Sequence, residues 1–235
     1  MVNHLIRIDK VSKKYNKKYL FKDLSFDIKV GETIAVIGYS GCGKTTLLRM
    51  IGGFEVASSG SIFMEDKKVL TSSKEAIMVG QDHNQLFPWK TAMQNVSWPM
   101  IVTGECMSRK EAIGLAKKYL FDLGITLADC NKYPVQLSGG MKQRATIARA
   151  LALKPKLLLL DEPFGSLDDL TRRKAQDVVK TVCERHKVTT VLVTHNIGEA
   201  IKMADRILVF TNNGKIELIK NDSNTEKRLK KLLDV

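Results

Sequence analysis

Proline is scarce in this chain, at 5 of 235 residues, and glycine is only average, at 16. Collagen-like and low-complexity chains need far more of both, so these two classes are excluded. The 4 cysteines are widely scattered and form no C-x-x-C pair, so the sequence indicates neither a disulfide framework nor a zinc site. The remaining composition, 44% hydrophobic and 27% charged, is typical of a globular chain that buries its own core.

Long apolar runs are absent as well. The longest stretch without a charged residue, 91–104, is shorter than the roughly 20 apolar residues that a membrane-spanning helix needs. Arg7, Asp9 and Lys10 interrupt the N-terminus before the apolar core of a signal peptide could form. We therefore expect a cytoplasmic chain that does not itself cross a membrane.

Positive charge is in excess, because 38 Lys and Arg residues against 25 Asp and Glu residues give a net charge of +13. Such an excess favours an acidic partner: nucleotide phosphates, a nucleic acid or an anionic membrane surface. The charge by itself does not choose among them. The basic residues are dispersed rather than gathered in a stripe with interleaved aromatic residues, so no nucleic acid is expected as a partner.

Four short apolar runs lack polar alternation, which predicts strands covered on both faces in a largely parallel sheet. These runs are 33–37, 76–80, 157–160 and 190–193. Half-exposed antiparallel strands that flank this sheet are predicted in 26–30, 206–210 and 216–218. The expected fold class is therefore α/β with a mixed sheet.

Helical patterns occupy several of the intervening segments. Between the second and third buried runs, Ser108 and Glu111 form a capping-box pattern ahead of apolar residues at helical spacing, so this segment is interpreted as a helical insertion. A further helix is predicted over 138–153. The tail, 225–235, mixes basic and leucine residues and predicts a short amphipathic helix that docks on the core.

A glycine-rich motif, G-x-x-x-x-G-K-S/T, lies between the first buried strand and a helical segment, where a phosphate-binding loop is expected. Its glycines let backbone amides close around phosphates, and the helix N-terminus adds a positive dipole. Lys44 is expected to meet the β and γ phosphates, and the Thr45 hydroxyl to bind Mg²⁺. The residues expected to bind nucleotide in this loop are Gly38, Tyr39, Ser40, Gly41, Cys42, Gly43, Lys44, Thr45 and Thr46.

Cys42 lies inside this loop, near a helix N-terminus that can lower the pKa of a thiol. A reactive thiol there would allow redox inhibition of nucleotide binding, whereas a small residue that is simply tolerated would be inert. We favour the inert residue.

Two carboxylates, Asp161 and Glu162, follow the third buried run. A buried parallel strand delivers such groups to the C-terminal edge of the sheet, where α/β proteins bind ligands. Asp161 would hold Mg²⁺, and Glu162 would orient or deprotonate an attacking water. Acidic residues at the end of a strand are usually just part of a solvated turn. The prediction of these two roles therefore depends on the phosphate loop that occurs in the same chain.

The octapeptide 137–144, Leu-Ser-Gly-Gly-Met-Lys-Gln-Arg, resembles the signature loop of ATP-binding cassette (ABC) ATPases, the motor subunits of membrane transporters. Ser138 can cap the following helix, and with Gly139 and Gly140 it offers amides to a second phosphate group. In the family this loop completes the ATP site of the opposite subunit. The resemblance therefore implies a head-to-tail homodimer that forms on ATP binding.

The resemblance covers nearly the whole chain and implies a single ABC ATPase domain, 1–235. It implies a P-loop NTPase (RecA-like) core with a mixed sheet and an antiparallel β subdomain in 1–83 and 134–235. It also implies that the helical subdomain is inserted at 84–133. The other landmarks of the family follow along the chain in the expected order.

The resemblance assigns roles to these landmarks. Tyr15 lies where the family stacks an aromatic ring on adenine, although Tyr19 is close enough to compete for that role. Gln81 matches the glutamine that reaches Mg²⁺ and water, and His195 matches the histidine that contacts the γ-phosphate. The loop that crosses the dimer interface is identified as Ser166, Leu167 and Asp168. The implied catalytic residues are Glu162, His195, Gln81 and Lys44, and the implied metal ligands are Thr45, Gln81 and Asp161.

Large apolar residues follow Gln81 in a loop: Leu86, Phe87, Pro88 and Trp89. They either pack inside the helical subdomain or face a partner. In the family, the region from Gln81 to Trp89 receives the transmembrane permease subunit. The wider stretch also resembles the nitrate, sulfonate and taurine branch of importers. That branch takes up small solutes or vitamin precursors with an extracytoplasmic solute-binding protein, and its ATPase lies on the inner face of the cell membrane.

Two other function classes compete with the importer motor. A soluble cassette ATPase that acts on nucleic acid, ribosomes or cofactor assembly would use the net charge of +13 to attract phosphates. A nucleotide-binding scaffold without turnover is disfavoured, because Lys44, Asp161, Glu162 and His195 are all present.

Overall fold

The computed structural model describes residues 4–16, 18–81, 85–165 and 167–234. The strands are β1 (His4–Tyr15), β2 (Lys18–Lys29), β3 (Thr33–Gly38), β4 (Ser59–Met64), β5 (Lys67–Lys68), β6 (Ala76–Val79), β7 (Leu157–Asp161), β8 (Thr189–Val193), β9 (Arg206–Phe210) and β10 (Ile216–Lys220). The helices are α1 (Lys44–Ile51), α2 (Ala92–Val102), α3 (Arg109–Asp122), α4 (Leu127–Cys130), α5 (Gly139–Ala152), α6 (Asp169–His186), α7 (Ile197–Met203) and α8 (Thr225–Leu233). A 3₁₀ turn occupies Pro134–Gln136.

The larger sheet is mixed and has the strand order β10-β9-β3-β8-β7-β6. Strand β3 is parallel to β8 and β9, β7 is parallel to β6 and β8, and β10 is antiparallel to β9. The side chains of β7 and β8 are all buried, which explains their continuous apolar sequences. The four predicted buried strands are confirmed, although Ile77 and Met78 are only half-buried because β6 lies at the sheet edge.

Strand β9 corrects one expectation. The prediction for 206–210 is a half-exposed antiparallel flanking strand. Its antiparallel pairing is confirmed with β10, but the predicted exposure is wrong, because β9 also pairs in parallel with β3 and all its residues from Ile207 onward are buried. Strand β9 is buried because helix α8 covers it, with Leu229 of α8 packed against Ile207 and Val209. The predicted amphipathic tail helix is therefore present, and it covers the strand that the sequence alone indicated as half-exposed.

The smaller sheet is antiparallel and has the order β2-β1-β4-β5. The predicted strand in 26–30 belongs to β2, which ends at Lys29. Phe21 of β2 lies edge-on against Phe210 of β9, with 5.9 Å between the ring centroids. Both rings belong to one apolar cluster with α1, so the two sheets share a core beside the start of that helix.

Helices α2, α3 and α4 lie between β6 and β7 in sequence and pack with α5 around a second apolar core. Thr91 and Gln94 form a reciprocal capping box at the start of α2. Ser108 caps α3 by accepting from the amide of Glu111, whereas the Glu111 carboxylate accepts from the amide of Met107. The predicted capping box is thus shifted by one residue in its second half. Within the described ranges, no helix is both long and apolar enough to cross a membrane.

Glu199 of α7 is a buried residue that faces α6, and only 5% of its surface is exposed. Gln176 of α6 donates a hydrogen bond from Nε2 to Glu199 Oε2 across 3.4 Å. Burial raises the pKa of Glu199 to about 7, although hydrogen bonds from Gln176 and Thr194 and the charge of Arg172 oppose the rise. The free energy of unfolding therefore depends on pH through this residue.

We expect Glu199→Gln to raise the free energy of unfolding at about pH 8 by about 1–3 kcal/mol. Between the unperturbed pKa of 4.5 and the folded value of about 7, the folded chain binds more protons than the unfolded chain. Stability contributed by Glu199 is therefore lost as the pH rises through this window, and the neutral amide removes that loss.

Urea unfolding followed by circular dichroism from about pH 5 to about pH 8 measures this effect. Glu184→Gln is the control, because the side chain of Glu184 is 65% exposed on α6. A Glu199→Gln effect that has the same size at both ends of the pH range would contradict the assignment.

Candidate functional site

The loop between β3 and α1 is suited to hold an anion. Helix α1 begins directly after Gly43, whose φ of 108° lies in the region that favours glycine, and no side chain caps this helix start. The first amides of a helix have no partner within the helix and lie at the positive end of its dipole. They are therefore available to bind a phosphate group.

Gly38 ends β3 where the chain passes directly against β9. A Cβ atom at this position would lie 2.6 Å from Phe210 Cβ and 2.8 Å from Phe210 O. Both distances are well inside van der Waals contact, so this path of the loop requires glycine at position 38. The Sγ atom of Cys42 lies 3.2 Å from the same point, so Cys42 is packed beneath the loop.

Lys44 directs its ammonium group back into the loop. Its Nζ donates hydrogen bonds to Gly38 O at 2.8 Å and Tyr39 O at 2.9 Å, and only 7% of the residue is exposed. A buried charge is stable only when hydrogen bonds compensate for its lost hydration, and these carbonyl groups do so. The loop therefore holds a fixed positive charge among its own amides.

A cavity of about 440 Å³ lies over this loop. The residues lining it are Tyr15, Leu20, Ser40, Gly41, Gly43, Lys44, Thr45, Thr46 and Glu162. Tyr19 lines a different cavity, together with Tyr39. Of the two tyrosines considered for adenine stacking, Tyr15 is thus the one that borders the phosphate loop.

Thr45 of α1 and Asp161 at the end of β7 meet beside the loop. Thr45 Oγ1 donates a hydrogen bond to Asp161 Oδ1 across 3.0 Å. Burial raises the pKa of Asp161, with a smaller contribution from Glu162, while Thr45 and the charge of Lys44 oppose the rise. A hydroxyl and a carboxylate are oxygen ligands of the kind that Mg²⁺ combines with substrate phosphates, so this pair fits the ion.

The Glu162 carboxylate contacts two polar side chains, each of which follows a neighbouring strand of the sheet. Gln81, after β6, donates from Nε2 to Glu162 Oε2 across 3.3 Å, and His195 Nδ1, after β8, lies 3.4 Å from the same oxygen. Glu162 has a φ of 47°. A non-glycine residue in this region costs on the order of 1–3 kcal/mol, and such strain clusters at functional sites. The structure thus brings Gln81, Glu162 and His195 together.

The signature loop lies away from this cavity. Ser138 caps α5 by accepting a hydrogen bond from the amide of Met141 across 3.3 Å. Ser138 and Gly139 are exposed, and none of Ser138, Gly139 and Gly140 lines the cavity over the phosphate loop. The start of α5 is therefore exposed at a surface separate from this cavity.

The loop before α6 packs against the signature loop. A Cβ atom at Gly140 would lie 3.1 Å from side-chain atoms of both Leu167 and Thr171. Asp168 caps α6 by accepting from the amide of Thr171 across 3.0 Å. Ser166, the remaining residue predicted in this loop, lies outside the described residues.

Arg172 of α6 fixes the same loop, and no sequence motif singled it out. Its Nη2 donates to Leu167 O at 2.5 Å, and its Nε donates to Phe164 O at 3.3 Å. Its Nη1 pairs with Asp169 Oδ1 at 2.6 Å. One guanidinium group therefore binds two carbonyl groups of the loop and the start of its own helix.

A second, apolar cavity of about 440 Å³ lies between β6, α2 and α5. Its apolar lining includes Ile77, Met78, Phe87, Trp98, Val102 and Leu153. Phe87 packs edge-on against Trp98 with 5.4 Å between ring centroids, and it lies 5.7 Å from the ring of Trp89. Leu86 is 4% exposed and Trp89 is 69% exposed, so one member of this loop packs inside while another faces outward. Residues 82–84 of the predicted partner region lie outside the described residues.

The mixed sheet, with a phosphate loop after β3 and carboxylates after β7, defines a P-loop nucleotide-binding domain. The ABC transporter family model matches residues 21–165, more than half of the chain, and the chain belongs to that family. Its fold is similar to the dimeric ATP-binding cassette MJ0796, solved in a post-hydrolysis state with ADP and Pi. The TM-score is 0.80 and the identity 31%, covering 93% of this chain and 99% of the other.

Two transport proteins show the resemblance at the level of sequence. The chain is 41% identical over 197 residues to the bicarbonate transport ATP-binding protein CmpC of Synechococcus elongatus, covering 84% of this chain and 29% of CmpC. It is 39% identical over 218 residues to the nitrate transport protein NasD of Klebsiella oxytoca, covering 88% of this chain and 80% of NasD. The chain thus spans less than a third of the length of CmpC but most of the length of NasD.

We expect the thiol of Cys42 to react slowly in the folded protein. Burial raises the pKa of this thiol, although the charge of Lys44 and backbone amides oppose the rise, and only 3% of the residue is exposed. Because the thiolate is the reactive form, labelling of Cys42 by iodoacetamide should be at least about tenfold slower than in the unfolded chain.

Peptide mass spectrometry after timed labelling measures both rates, and the guanidinium-unfolded chain serves as the reference. Equal rates in the folded and unfolded chains would restore the redox-sensitive interpretation of Cys42.

Proposed function

We propose that this chain is the ATP-hydrolysing motor subunit of an ABC importer and that it works as a head-to-tail homodimer on Mg-ATP. One observation carries the proposal: Gln81, Glu162 and His195 meet at the ends of three neighbouring parallel strands, and Glu162 borders the cavity over the phosphate loop. The relatives named for bicarbonate and nitrate transport support the importer class.

In the proposed reaction, ATP is the substrate and its triphosphate lies in the loop 38–46. The loop amides and Lys44 bind the β and γ phosphates. A water oxygen attacks the γ-phosphorus, the bond from that phosphorus to the β–γ bridging oxygen breaks, and Glu162 accepts a proton from the water. Gln81 and His195 hold the carboxylate that takes the proton, and the products are ADP and inorganic phosphate.

Thr45 and Asp161 would hold Mg²⁺, with Gln81 as the third protein ligand that the family resemblance implies. When bound, the ion neutralises phosphate charge. Asp161 is positioned for this role by the hydrogen bond from Thr45, which is itself fixed on α1 at the end of the phosphate loop.

The proposal of a dimer depends on the position of the signature loop. Ser138 and Gly139 are exposed at a helix start and do not line the nucleotide cavity of their own chain. An anion-binding helix start that faces outward is explained if it binds the nucleotide of a second copy. Leu167 lies beside Gly140, and Asp168 follows it as the cap of α6; both would join the same interface. The dimeric state of the MJ0796 cassette supports this arrangement.

The apolar cavity between β6, α2 and α5 is the proposed site of the transmembrane permease subunit. Its lining includes Trp98 and Val102, which are 41% and 62% exposed. Trp89, 69% exposed, packs against Phe87 of the same lining. Such a patch is typical of a surface that a partner covers. Binding there would attach the chain to the cytoplasmic face of the membrane.

The proposed cargo is a small solute of the nitrate or bicarbonate type, after the names of the relatives. The cargo would be delivered by an extracytoplasmic solute-binding protein and would pass through the permease. It would not touch this chain, whose residues bind ATP and the permease.

We expect Glu162→Gln to retain ATP binding and to lose hydrolysis. The amide keeps the shape of the side chain but cannot accept the proton, so kcat should fall by about 10²–10⁴-fold while the Kd for Mg-ATP changes by less than about threefold. Phosphate release and equilibrium titration measure the two quantities.

The control is Glu184→Gln, an exposed change on α6. Undiminished turnover in Glu162→Gln would remove Glu162 from the catalytic role. A parallel loss of ATP affinity would assign it to binding instead.

We expect Val102→Lys to weaken capture of the permease subunit by at least about tenfold, because docking would bury an unpaired charge. Val102 is 62% exposed, so the native fold tolerates lysine there. Co-purification from membranes in mild detergent, compared at equal expression, measures the effect.

The matched control is Leu70→Lys, since Leu70 is 69% exposed and does not line this cavity. Equal capture of the permease by both variants would place the docking surface elsewhere.

A further inference from the structure

Tyr15, at the end of β1, is held on two sides while half of it remains exposed. Its hydroxyl group donates a hydrogen bond to Glu55 Oε1. The Nζ atom of Lys13 lies 4.9 Å from the centroid of the Tyr15 ring, in a cation–π contact. The ring is thus oriented by a hydrogen bond at its tip and by a cation beside its π system.

Glu55 is the centre of this arrangement. Its Oε1 also pairs with Lys13 Nζ at 2.8 Å, and its Oε2 lies 3.8 Å from Arg49 Nε of α1. Lys13 is only 9% exposed and donates a further hydrogen bond to Val56 O at 2.8 Å. One carboxylate therefore ties the end of β1 to the segment that follows α1.

Glu55 is ionised at neutral pH, which suits an acceptor for these donors. Partial burial opposes ionisation, but hydrogen bonds from Lys13 and Tyr15 lower the pKa of Glu55 below its ordinary value. Hydrogen bonds to a charged acceptor are stronger than those between neutral groups. The contact therefore restrains the Tyr15 side chain more firmly than a neutral partner would.

We infer that Glu55 is a positioning residue for the nucleobase: it orients the Tyr15 ring at the edge of the phosphate-loop cavity so that a flat base can stack on it. The inference rests on the proposed function, because Tyr15 is the assigned adenine platform there. Glu55 does not line the phosphate-loop cavity, so its effect on a nucleotide passes through Tyr15.

This role makes a base-specific prediction. Ordering a side chain before binding removes an entropic cost from the binding step, so losing the restraint weakens only ligands that use the ring. A ligand made of phosphates alone meets the loop and Lys44 but not Tyr15. Glu55 should therefore affect the affinity for a nucleotide and leave the affinity for inorganic triphosphate unchanged.

The test titrates the full chain with Mg-AMPPNP and with Mg-triphosphate in a calorimeter. Glu55→Ala should bind AMPPNP about three- to tenfold more weakly and triphosphate within about twofold of the native chain. Tyr15→Phe keeps the ring but removes its hydroxyl group, so it should show a similar base-specific loss. The double variant should bind AMPPNP no more than about twofold more weakly than either single variant. The reason is that both changes remove the same hydrogen bond, the one between Tyr15 and Glu55.

Two further variants separate positioning from stability. Glu55→Gln keeps an oxygen that accepts from the Tyr15 hydroxyl, so it should recover part of the AMPPNP affinity. Glu184→Ala removes an exposed carboxylate of α6 and should leave the affinities for AMPPNP and for triphosphate unchanged. Thermal melting of each variant establishes that the compared proteins are folded.

The outcomes distinguish this inference from the proposed function. Equal losses for AMPPNP and triphosphate, no loss in Glu55→Ala, or additive losses in the double variant would each overturn the role of Glu55. Those results leave ATP binding intact if the native chain binds AMPPNP more tightly than triphosphate. A native chain that binds neither ligand would overturn the proposed function and this inference together.

Discussion

The candidate site depends on the parallel register of the central sheet. Val193 of β8 pairs with Val36 of β3 on one side and with Asp161 of β7 on the other, while Val79 of β6 pairs with Leu160. The four strands therefore end at nearly the same level. The phosphate loop, the two carboxylates and the polar residues after β6 and β8 reach one edge of the sheet for this reason. Burial of aliphatic side chains, each worth about 1.5–3 kcal/mol, stabilises this register.

Charged side chains are buried at this same edge of the sheet. Lys44 and Asp161 are each only 7% exposed, so both need fixed polar partners. Carbonyl groups of the phosphate loop hold the first, and the Thr45 hydroxyl holds the second. These contacts are all made within the chain itself, so both charged groups are held in fixed positions at this edge.

Helix α5 joins the two surfaces on which the proposed function rests. Its start carries the exposed signature residues, and near its end Arg149 donates from Nη1 to Gln85 O at 2.7 Å and lies 5.4 Å from the Phe87 ring. The helix has 14 residues, which corresponds to about 21 Å at about 1.5 Å per residue. This single helix therefore connects the proposed dimer face to the apolar cavity.

The sequence by itself determined the buried strands, the phosphate loop, helix α5 with its Ser138 cap, and the order of the polar strand ends. These features depend on residue types within a few positions of one another, which is the range of periodicity and capping. Only the tertiary structure decided that α8 covers β9, that Tyr15 rather than Tyr19 borders the loop, and that Glu55 holds Tyr15. Tyr15 and Glu55 are 40 residues apart, and no local pattern encodes such a contact, because packing of distant elements creates it.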